Sequence, residues 1–340
     1  MICNICPLHC EFNDRRTKGL CRVVAKENDV IKSSNDGILE YGIDFIERLG
    51  FYHFLPGSEA LYVLMPGCNL KCIFCPEWQI THKDPDAIHG FTGKIRPKEL
   101  VTIAKNHGAE SIVFSCNSAL NTEYIAKTSE VALKEGLNLA LITHGVLEPD
   151  YVTHIIRYFK GVLIRFFGFS KKAYAKLTLI PNGYEYAIKM AEMVYQEGVH
   201  LEISYTIIPG INDSKNEIND FLEWVMGFSS GDIPLHFKRY YPAYLLADKA
   251  PTRTKALKDA FRLAKKHGLK YAYADDIFEG SERVTECPKD GEPLIIRIGD
   301  FVLVKLGKGN KCPRCGEIIP IYGTPKNTLN WRILKFRTTT

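Results

Sequence analysis

Residues 60–78 read ALYVLMPGCNLKCIFCPEW. The apolar, β-rich first half predicts a buried strand that ends at Gly67, where glycine lets the backbone turn tightly. The second half is a loop in which Cys68, Cys72 and Cys75 are spaced C-x3-C-x2-C. Three thiols in one short loop, directly after a buried strand, indicate a metal site at the carboxyl end of that strand.

The order of strand, loop and helix repeats along the chain. Six further apolar runs are separated by helical patterns: SIVFSC, NLALITHG, VLIRFFG, HLEISYTII, PLHFKRYY and LKYAYA. Asn121 and Ser214 are predicted N-caps of two of these helices. Six β-α units predict a parallel sheet with right-handed crossovers. They are too few for a closed eight-fold barrel and fit a partial barrel or a doubly wound sheet, both with the active site at the carboxyl ends of the strands.

The composition is that of a globular protein. The chain has 340 residues, of which 46% are hydrophobic and 24% charged. No apolar run approaches the roughly 18 residues of a membrane span, and the first residues, MICNICPLHC, lack the pattern of a signal peptide. We therefore expect a cytoplasmic protein without a membrane partner. The net charge of +5 permits an anionic partner but does not argue for one.

Eleven cysteines are many for a chain without an export signal, and ten of them fall into three groups. Clustered cysteines in a reducing compartment indicate metal ligands before disulfides. Cys116 stands alone and is predicted to be a buried apolar group. The groups are the loop of Cys68, Cys72 and Cys75, an N-terminal group (Cys3, Cys6, Cys10, Cys21) and a C-terminal group (Cys287, Cys312, Cys315).

The three loop cysteines suit a [4Fe–4S] cluster better than a structural zinc ion. Structural zinc sites more often use paired C-x2-C turns, whereas iron–sulfur clusters commonly take four thiolates. With three thiolates, one iron keeps an open position for a ligand that offers an amine and a carboxylate. S-adenosylmethionine offers both groups, and its reductive cleavage gives a 5′-deoxyadenosyl radical. Phe74 is well placed to pack on the adenine ring.

The motif C-x3-C-x-Phe-C after the first strand of a (β/α)6 pattern resembles the radical S-adenosylmethionine superfamily. YHFLPGS (52–58), IIPGINDSKNEI, PLHFKRYYPAY and the N-terminal CPLHC…GLCRV extend the resemblance to the AmmeMemoRadiSam-type branch. These proteins are similar to pyruvate formate-lyase activating enzymes. The resemblance implies an α/β fold with a partial (β/α)6 TIM-like barrel, a [4Fe–4S] cluster and S-adenosylmethionine, and it does not supply the substrate.

The chain departs from the branch in the segments around the cofactor. SCNSAL stands where relatives carry a YNEP-like segment, THG stands where they carry TNG, and IRFFGF stands where they carry VDLKGF. These departures predict either a changed pocket, in which Arg165 attracts a carboxylate or phosphate, or a divergent paralogue with weak or altered cleavage activity, and the intact cysteine triad favours the first. The candidate cofactor-binding residues are Phe74, Ser115, Asn117, Thr143, His144, Arg165 and His236.

The two terminal groups are candidates for further metal sites. The N-terminal spacing C-x2-C-x3-C-x10-C supplies four thiolates for a zinc ion or for an auxiliary iron–sulfur cluster. In the C-terminal group Asp290 stands where a zinc ribbon has its second cysteine. A Cys3Asp zinc site, a degenerate ribbon without metal and an auxiliary cluster all remain open there.

These interpretations divide the chain into a Cys-rich segment (1–57), the partial barrel (58–275) and a small β, zinc-ribbon-like segment with a basic tail (276–340). The predicted function is reductive cleavage of S-adenosylmethionine, followed by hydrogen abstraction from an unknown small molecule, protein or RNA. The electron donor is expected to be a reductant such as ferredoxin or flavodoxin. The alternatives are an activase of a glycyl-radical enzyme, a non-catalytic iron–sulfur scaffold or electron carrier, and an RNA-modifying enzyme.

Overall fold

The computed structural model describes residues 1–33, 40–84, 94–115, 118–278 and 280–328. The chain forms two compact units, each built from separate segments. The segments of the two units alternate along the chain and do not correspond to three consecutive parts, so the predicted three-part division stays a prediction. Unit 1 comprises Met1–Ile43, Ala60–Leu201 and Tyr241–Pro251; unit 2 comprises Asp44–Glu59, Glu202–Tyr240 and Thr252–Thr340.

The described residues form thirteen strands and nine α-helices. The strands are β1 (Val24–Glu27), β2 (Val30–Ser33), β3 (Glu40–Phe45), β4 (Glu59–Leu64), β5 (Ser111–Phe114), β6 (Asn138–Thr143), β7 (Gly161–Phe166), β8 (His200–Ile207), β9 (Leu235–Arg239), β10 (Ala272–Ala274), β11 (Thr285–Glu286), β12 (Pro293–Ile298) and β13 (Phe301–Val304). The helices are α1 (Ile46–Leu49), α2 (Trp78–Thr81), α3 (Pro97–Asn106), α4 (Thr122–Lys134), α5 (Pro149–Ile156), α6 (Lys171–Thr178), α7 (Gly183–Gln196), α8 (Lys215–Ser229) and α9 (Thr254–Lys266).

The predicted βα repeat is confirmed. In unit 1, strands β4, β5, β6 and β7 pair in chain order and in parallel, with Leu61 opposite Ile112 and Leu141 opposite Val162. In unit 2, β8, β9 and β10 also pair in chain order and in parallel. All four residues of β5 are buried, as expected of a parallel strand covered on both faces. The α/β class, with the parallel strands typical of the partial barrel, is therefore confirmed.

Helix starts agree only in part with the sequence. The predicted cap at Ser214 is confirmed, because its hydroxyl accepts a hydrogen bond from the Glu217 amide at 3.3 Å. Asn121 is the N-cap residue of α4 as predicted, but its side chain makes no capping hydrogen bond, since its Oδ1 accepts a hydrogen bond from the Ser33 hydroxyl at 2.6 Å. A long-range polar partner here displaces the local one.

Several elements lie outside the predicted repeat, among them β1 to β3, α1, α2, α6 and a C-terminal sheet. Helix α6 is short and was not predicted; it begins after Ser170, whose hydroxyl accepts a hydrogen bond from the Ala173 amide. Near the C-terminus, β11, β12 and β13 form an antiparallel sheet within the segment predicted to be a small β unit. No helix among the described residues is long and apolar enough to cross a membrane.

Candidate functional site

The loop that carries the three cysteines is anchored to the N-terminal segment. The Cys68 amide donates a hydrogen bond to the Cys21 carbonyl at 3.1 Å. Gly67 has φ +80°, and a Cβ built there would lie 2.5 Å from both the Cys21 oxygen and Cγ1 of Val23. Only glycine fits a backbone that approaches another segment this closely, so the residue predicted to turn the chain also permits this contact.

Helix α6 and a distant loop hold the rest of the cysteine loop. The Lys71 amide donates to the Thr178 carbonyl at 3.2 Å, and the Ile73 amide donates to the Leu177 carbonyl at 3.0 Å. The Ile73 carbonyl accepts from the Leu245 amide at 2.9 Å. The last turn of α6 thus supplies two of its otherwise unpaired carbonyls to the loop. This positioning element has no motif of its own in the sequence.

The three thiols lie in one sheltered place and take no part in disulfides. Cys68 is 7% exposed, Cys72 is 8% exposed and Cys75 is half-buried. The Leu70 amide lies 3.4 Å from the Cys68 sulfur as a donor, and the Thr81 hydroxyl lies 3.3 Å from the Cys75 sulfur. The Thr81 hydroxyl donates to the Glu77 carbonyl at 2.9 Å, so the Leu70 amide is the donor to sulfur here, and such a donor suits a thiolate that carries negative charge, as the thiolates of a metal centre do. The loop therefore fits an iron–sulfur cluster on its own donor set.

His144 contacts the first cysteine of the loop. Its Nδ1 accepts a hydrogen bond from the Val146 amide at 3.2 Å, so the neutral ring carries its proton on Nε2. Nε2 lies 3.7 Å from the Cys68 sulfur and can donate to it. Burial lowers the pKa of His144 to about 4, which favours the neutral ring. His144, which stands where relatives carry asparagine, is thus placed as a donor to the Cys68 sulfur.

Phe74 and Arg165 also lie at the loop. The Phe74 ring makes an edge contact with Phe167, with centroids 5.0 Å apart. Burial and then the Glu40 carboxylate raise the pKa of Glu77, while the Arg165 guanidinium lowers it, so Arg165 interacts with the residue two positions after Cys75. Strand β7 and the residue that follows it therefore bring a cation to Glu77 and an aromatic ring to Phe74, which precedes Cys75.

Ser115 and Thr143 lie at the ends of β5 and β6 and make local hydrogen bonds. The Ser115 hydroxyl donates to the Val63 carbonyl at 3.1 Å, and the Thr143 hydroxyl accepts from the Gly145 amide at 3.1 Å. Asn117 and Cys116 lie outside the described residues. Contact of Ser115, Asn117 and Thr143 with the cofactor stays a prediction.

His236 of unit 2 lies in a fully buried charged network. Its Nε2 lies 2.8 Å from Oε2 of Glu202, and its Nδ1 lies 2.8 Å from Oδ1 of Asp275. Glu202 also accepts hydrogen bonds from the amides of Tyr52, His53 and Phe54 at 2.8, 2.8 and 3.0 Å. Both ring nitrogens of His236 therefore have protein partners, and its predicted contact with the cofactor stays a prediction.

Two residues inside the cysteine loop were missed by the sequence reasoning. Asn69 is buried, its amide nitrogen donates to the Val146 carbonyl at 2.7 Å, and its Oδ1 has no hydrogen-bond partner. Lys71 interacts with Cys68 and Cys72 and also with Cys21, while burial, the largest effect, lowers its pKa. Their position between the cysteines was the available signal.

The N-terminal thiols gather next to this loop. All four are buried. The Cys3 amide donates to the Cys10 carbonyl at 2.9 Å, and the Leu20 amide lies 3.4 Å from the Cys10 sulfur. A Cβ added at Gly19 would lie 3.5 Å from the Cys21 sulfur and 3.7 Å from the Cys10 sulfur. One segment of chain thus touches two of the four sulfurs.

The C-terminal group is tighter and lies within unit 2. Cys287, Asp290, Cys312 and Cys315 place their ligand atoms within 4.8 Å of one another. Within the described ranges, no other set of three or more histidine, cysteine or acidic residues does so. The predicted ligand set is therefore brought together, including the aspartate that stands in place of a cysteine.

Comparison with known proteins agrees with the geometry. The family described as the Radical SAM superfamily matches residues 62–225. The uncharacterized protein MJ0808 of Methanocaldococcus jannaschii is 28% identical over 323 residues, which cover 94% of this chain and 95% of that protein. The 7-carboxy-7-deazaguanine synthase of Aquifex aeolicus is 24% identical over 143 residues, 42% of this chain and 59% of that enzyme.

A radical SAM methyltransferase from Sphaerobacter thermophilus superposes with a TM-score of 0.49 at 16% identity, covering 73% of this chain and 74% of that one. The matched range 62–225 begins in β4, contains the whole cysteine loop and ends within α8. The cofactors of this family are a [4Fe–4S] cluster and S-adenosylmethionine, and two buried thiols and one half-buried thiol on an anchored loop fit them. The family match covers just under half of the chain, and together with the cysteine loop it identifies the chain as a radical S-adenosylmethionine enzyme.

Proposed function

We propose that Cys68, Cys72 and Cys75 hold the cluster, that S-adenosylmethionine binds at its open iron, and that hydrogen abstraction from a substrate follows. The observation that carries this proposal is the cysteine loop itself, with three sheltered thiols and backbone hydrogen bonds to the N-terminal segment, to α6 and to Leu245. When bound, cluster and S-adenosylmethionine together supply the electron and the 5′-deoxyadenosyl group.

The chain's own residues bind and orient S-adenosylmethionine. Phe74, backed by Phe167, offers an apolar wall for the adenine ring. Arg165 offers a cation for the methionine carboxylate, and Ser115, Asn117 and Thr143 offer polar contacts. Burial of Cys68 and Cys72 keeps water from the thiolates. The electron donor is a low-potential protein of the ferredoxin or flavodoxin class.

The test is release of 5′-deoxyadenosine from S-adenosylmethionine by anaerobically reconstituted, dithionite-reduced protein. We expect release from the wild type and none from a variant with Cys68, Cys72 and Cys75 replaced by alanine. Cys116→Ala is the matched control, because Cys116 belongs to none of the three cysteine groups. Equal release from the triple variant and the wild type would contradict the proposal.

Membership in the AmmeMemoRadiSam-type branch is the finer proposal for this chain, and the segments quoted above support it. Within that branch the substrate is open, and an activase of a glycyl-radical protein is one candidate. An activase installs its radical on the partner's backbone, so electron paramagnetic resonance of a mixture with such a partner is the test. A persistent glycyl signal supports an activase, and a mixture without one counts against it.

A second candidate substrate carries a nucleobase, and one observation favours it. Trp78 and Tyr244 stack with centroids 4.9 Å apart, and Nζ of Lys83 lies 5.7 Å above the Trp78 ring. Tyr241 is exposed. The Leu245 amide, next to Tyr244, donates a hydrogen bond to the Ile73 carbonyl of the cysteine loop. Aromatic and cationic groups together suit nucleobases and their phosphates, and the similar synthase from Aquifex aeolicus is named for a deazaguanine product.

Retention of tRNA tests the nucleic-acid form of this candidate. We expect binding that weakens with salt and that falls on Trp78→Ala or Lys83→Ala. Leu133→Ala is a matched control, since Leu133 is an exposed apolar residue on α4. Retention that is equal in all variants would remove this candidate.

A further inference from the structure

The distances in the C-terminal group match those of a single tetrahedral metal ion. The sulfurs of Cys287 and Cys315 lie 3.5 Å apart, and the Cys312 sulfur lies 3.7 and 3.6 Å from the two carboxylate oxygens of Asp290. Zinc–sulfur and zinc–oxygen bonds of about 2.3 and 2.0 Å at tetrahedral angles separate two sulfurs by about 3.8 Å, and a sulfur from an oxygen by about 3.5 Å. Thiolates of an iron–sulfur cluster bind different irons and lie farther apart.

The four ligands come from two copies of one turn. CPKDGE (287–292) and CPRCGE (312–317) align residue for residue, with Asp290 in the position of Cys315. In each copy the first cysteine amide donates to the glutamate carbonyl, at 2.9 and 2.8 Å, and the glycine amide donates to the cysteine carbonyl, at 2.9 and 3.0 Å. Gly291 and Gly316 have φ +74° and +78°. Asp290 therefore occupies the place of a second metal-binding cysteine in backbone geometry as well as in sequence.

We propose that Cys287, Asp290, Cys312 and Cys315 bind one zinc ion. Three thiolates select zinc over magnesium or calcium, and four protein ligands close the coordination sphere, as in structural sites. Cys287 and Cys312 pack in one buried cluster with Tyr52, Tyr271 and Tyr273. The ion thus ties the two turns into the core of unit 2 and has a structural role.

The test is zinc content and zinc X-ray absorption of the full-length protein. We expect one zinc in this site, with three sulfur neighbours and one oxygen neighbour. Asp290→Cys is expected to keep the ion and replace the oxygen by sulfur, whereas Asp290→Ala is expected to weaken zinc retention against a chelator at least tenfold. Asp290→Cys preserves the turn, so the test does not depend on a variant that fails to fold.

Glu292→Gln is the matched control, because Glu292 is an acid of the same turn that pairs with Arg314 and is not part of the ligand set. Its zinc neighbours are expected to equal those of the wild type. An unchanged neighbour shell in Asp290→Cys would overturn the role of Asp290. Iron in place of zinc at this site would overturn the choice of metal.

The N-terminal group is built differently, and it carries a second proposal. Its four thiols are buried, yet in the described part of the chain only the C-terminal group reaches the spacing of a single ion. A hydrogen bond of 3.1 Å joins the Cys21 carbonyl to the Cys68 amide, and Lys71 interacts with Cys21 as well as with Cys68. The Cys21 sulfur is therefore connected to the Cys68 sulfur through the covalent bonds of the two residues and one backbone hydrogen bond.

We infer that Cys3, Cys6, Cys10 and Cys21 hold a second [4Fe–4S] cluster that passes electrons to the cluster of the cysteine loop. One electron leaves a ferredoxin- or flavodoxin-class donor, reduces the N-terminal cluster and then the loop cluster; no bond forms or breaks. Four thiolates saturate the irons, so this cluster transfers electrons without binding substrate. This inference rests on the proposed function for its acceptor.

Iron content and electron paramagnetic resonance, both measured without S-adenosylmethionine, test the cluster separately from the proposed function. A Cys6→Ser, Cys10→Ser variant is expected to lose about half of the iron and to keep the resonance of the loop cluster. Its 5′-deoxyadenosine release is expected to persist with dithionite and to fall at least tenfold with reduced ferredoxin. Loss of zinc at unchanged iron, or an unchanged ferredoxin-driven rate, would overturn this inference.

Discussion

The cysteine loop of unit 1 takes three thiols from a single turn, whereas the C-terminal group of unit 2 takes three thiols and a carboxylate from two copies of one turn. The first arrangement leaves a metal centre open to a further ligand, and the second closes it. The surroundings differ in the same sense, with an aromatic wall, a cation and a histidine donor at the loop, and the tyrosine cluster at the C-terminal group. The same thiol chemistry thus suits a reactive site where one loop supplies three ligands, and a structural site where two turns supply four.

The largest expected effect comes from replacing one cysteine of each group and comparing the loss of activity with the loss of stability. We expect Cys72→Ala to lower 5′-deoxyadenosine release by about 1000-fold or more and to leave the thermal unfolding of the protein near that of the wild type. Cys312→Ala is expected to do the reverse, lowering the unfolding midpoint more than the activity of the folded fraction. Equal loss of activity and stability in both variants would contradict the separation of roles.

The next largest effect concerns the charged network of unit 2. His236→Leu leaves Glu202 and Asp275 buried without the imidazole that lies 2.8 Å from each. We expect a loss of about 3–5 kcal/mol in the free energy of unfolding, measured with denaturant. The exposed His107→Leu serves as control. A loss below about 1 kcal/mol would show that the network is not a stabilising part of unit 2.

Acid is expected to release part of this stability. Burial opposes ionisation of Asp275, but His236 and Lys238 outweigh it and lower its pKa from 3.8 to about 2. A carboxylate with a lowered pKa stabilises the fold above its unfolded pKa, and this contribution is lost as the pH falls through about 4 to about 2. The wild type should exceed Asp275→Asn by about 2 kcal/mol near pH 6. The difference should close near pH 2, and a difference that is constant with pH would contradict the assignment.

The smallest effect sharpens the description of the open site. His144→Leu removes a hydrogen-bond donor to the Cys68 sulfur. A donor at this sulfur stabilises the reduced cluster, because the reduced form is more negative. We expect the reduction potential of the loop cluster to fall by roughly 40 mV, the equivalent of one hydrogen bond of about 1 kcal/mol. His144→Gln, which keeps an N–H donor, should recover part of the shift in a redox titration. An equal potential in all three proteins would exclude the hydrogen bond.

Local sequence patterns predicted much of the fold. Strands β4 to β10 were found because buried parallel strands are apolar throughout, and the helices between them because their apolar residues recur at helical spacing. Helix α6 was missed because eight residues with three lysines give a weak pattern. The cysteine loop and the ligands of the C-terminal group were found because metal ligation demands fixed residue types at fixed spacing.

By itself the sequence determined the chemistry available to this protein, namely three groups of thiols, a βα repeat and the segments that mark its family. Only the tertiary structure decided how each group is used. It brought the His144 ring to the Cys68 sulfur, hydrogen-bonded the Cys68 amide to the Cys21 carbonyl and placed the Asp290 carboxylate beside the Cys312 sulfur. It also engaged both nitrogens of His236 within the protein. Contacts between residues distant in sequence depend on packing, and spacing along the chain carries no record of them.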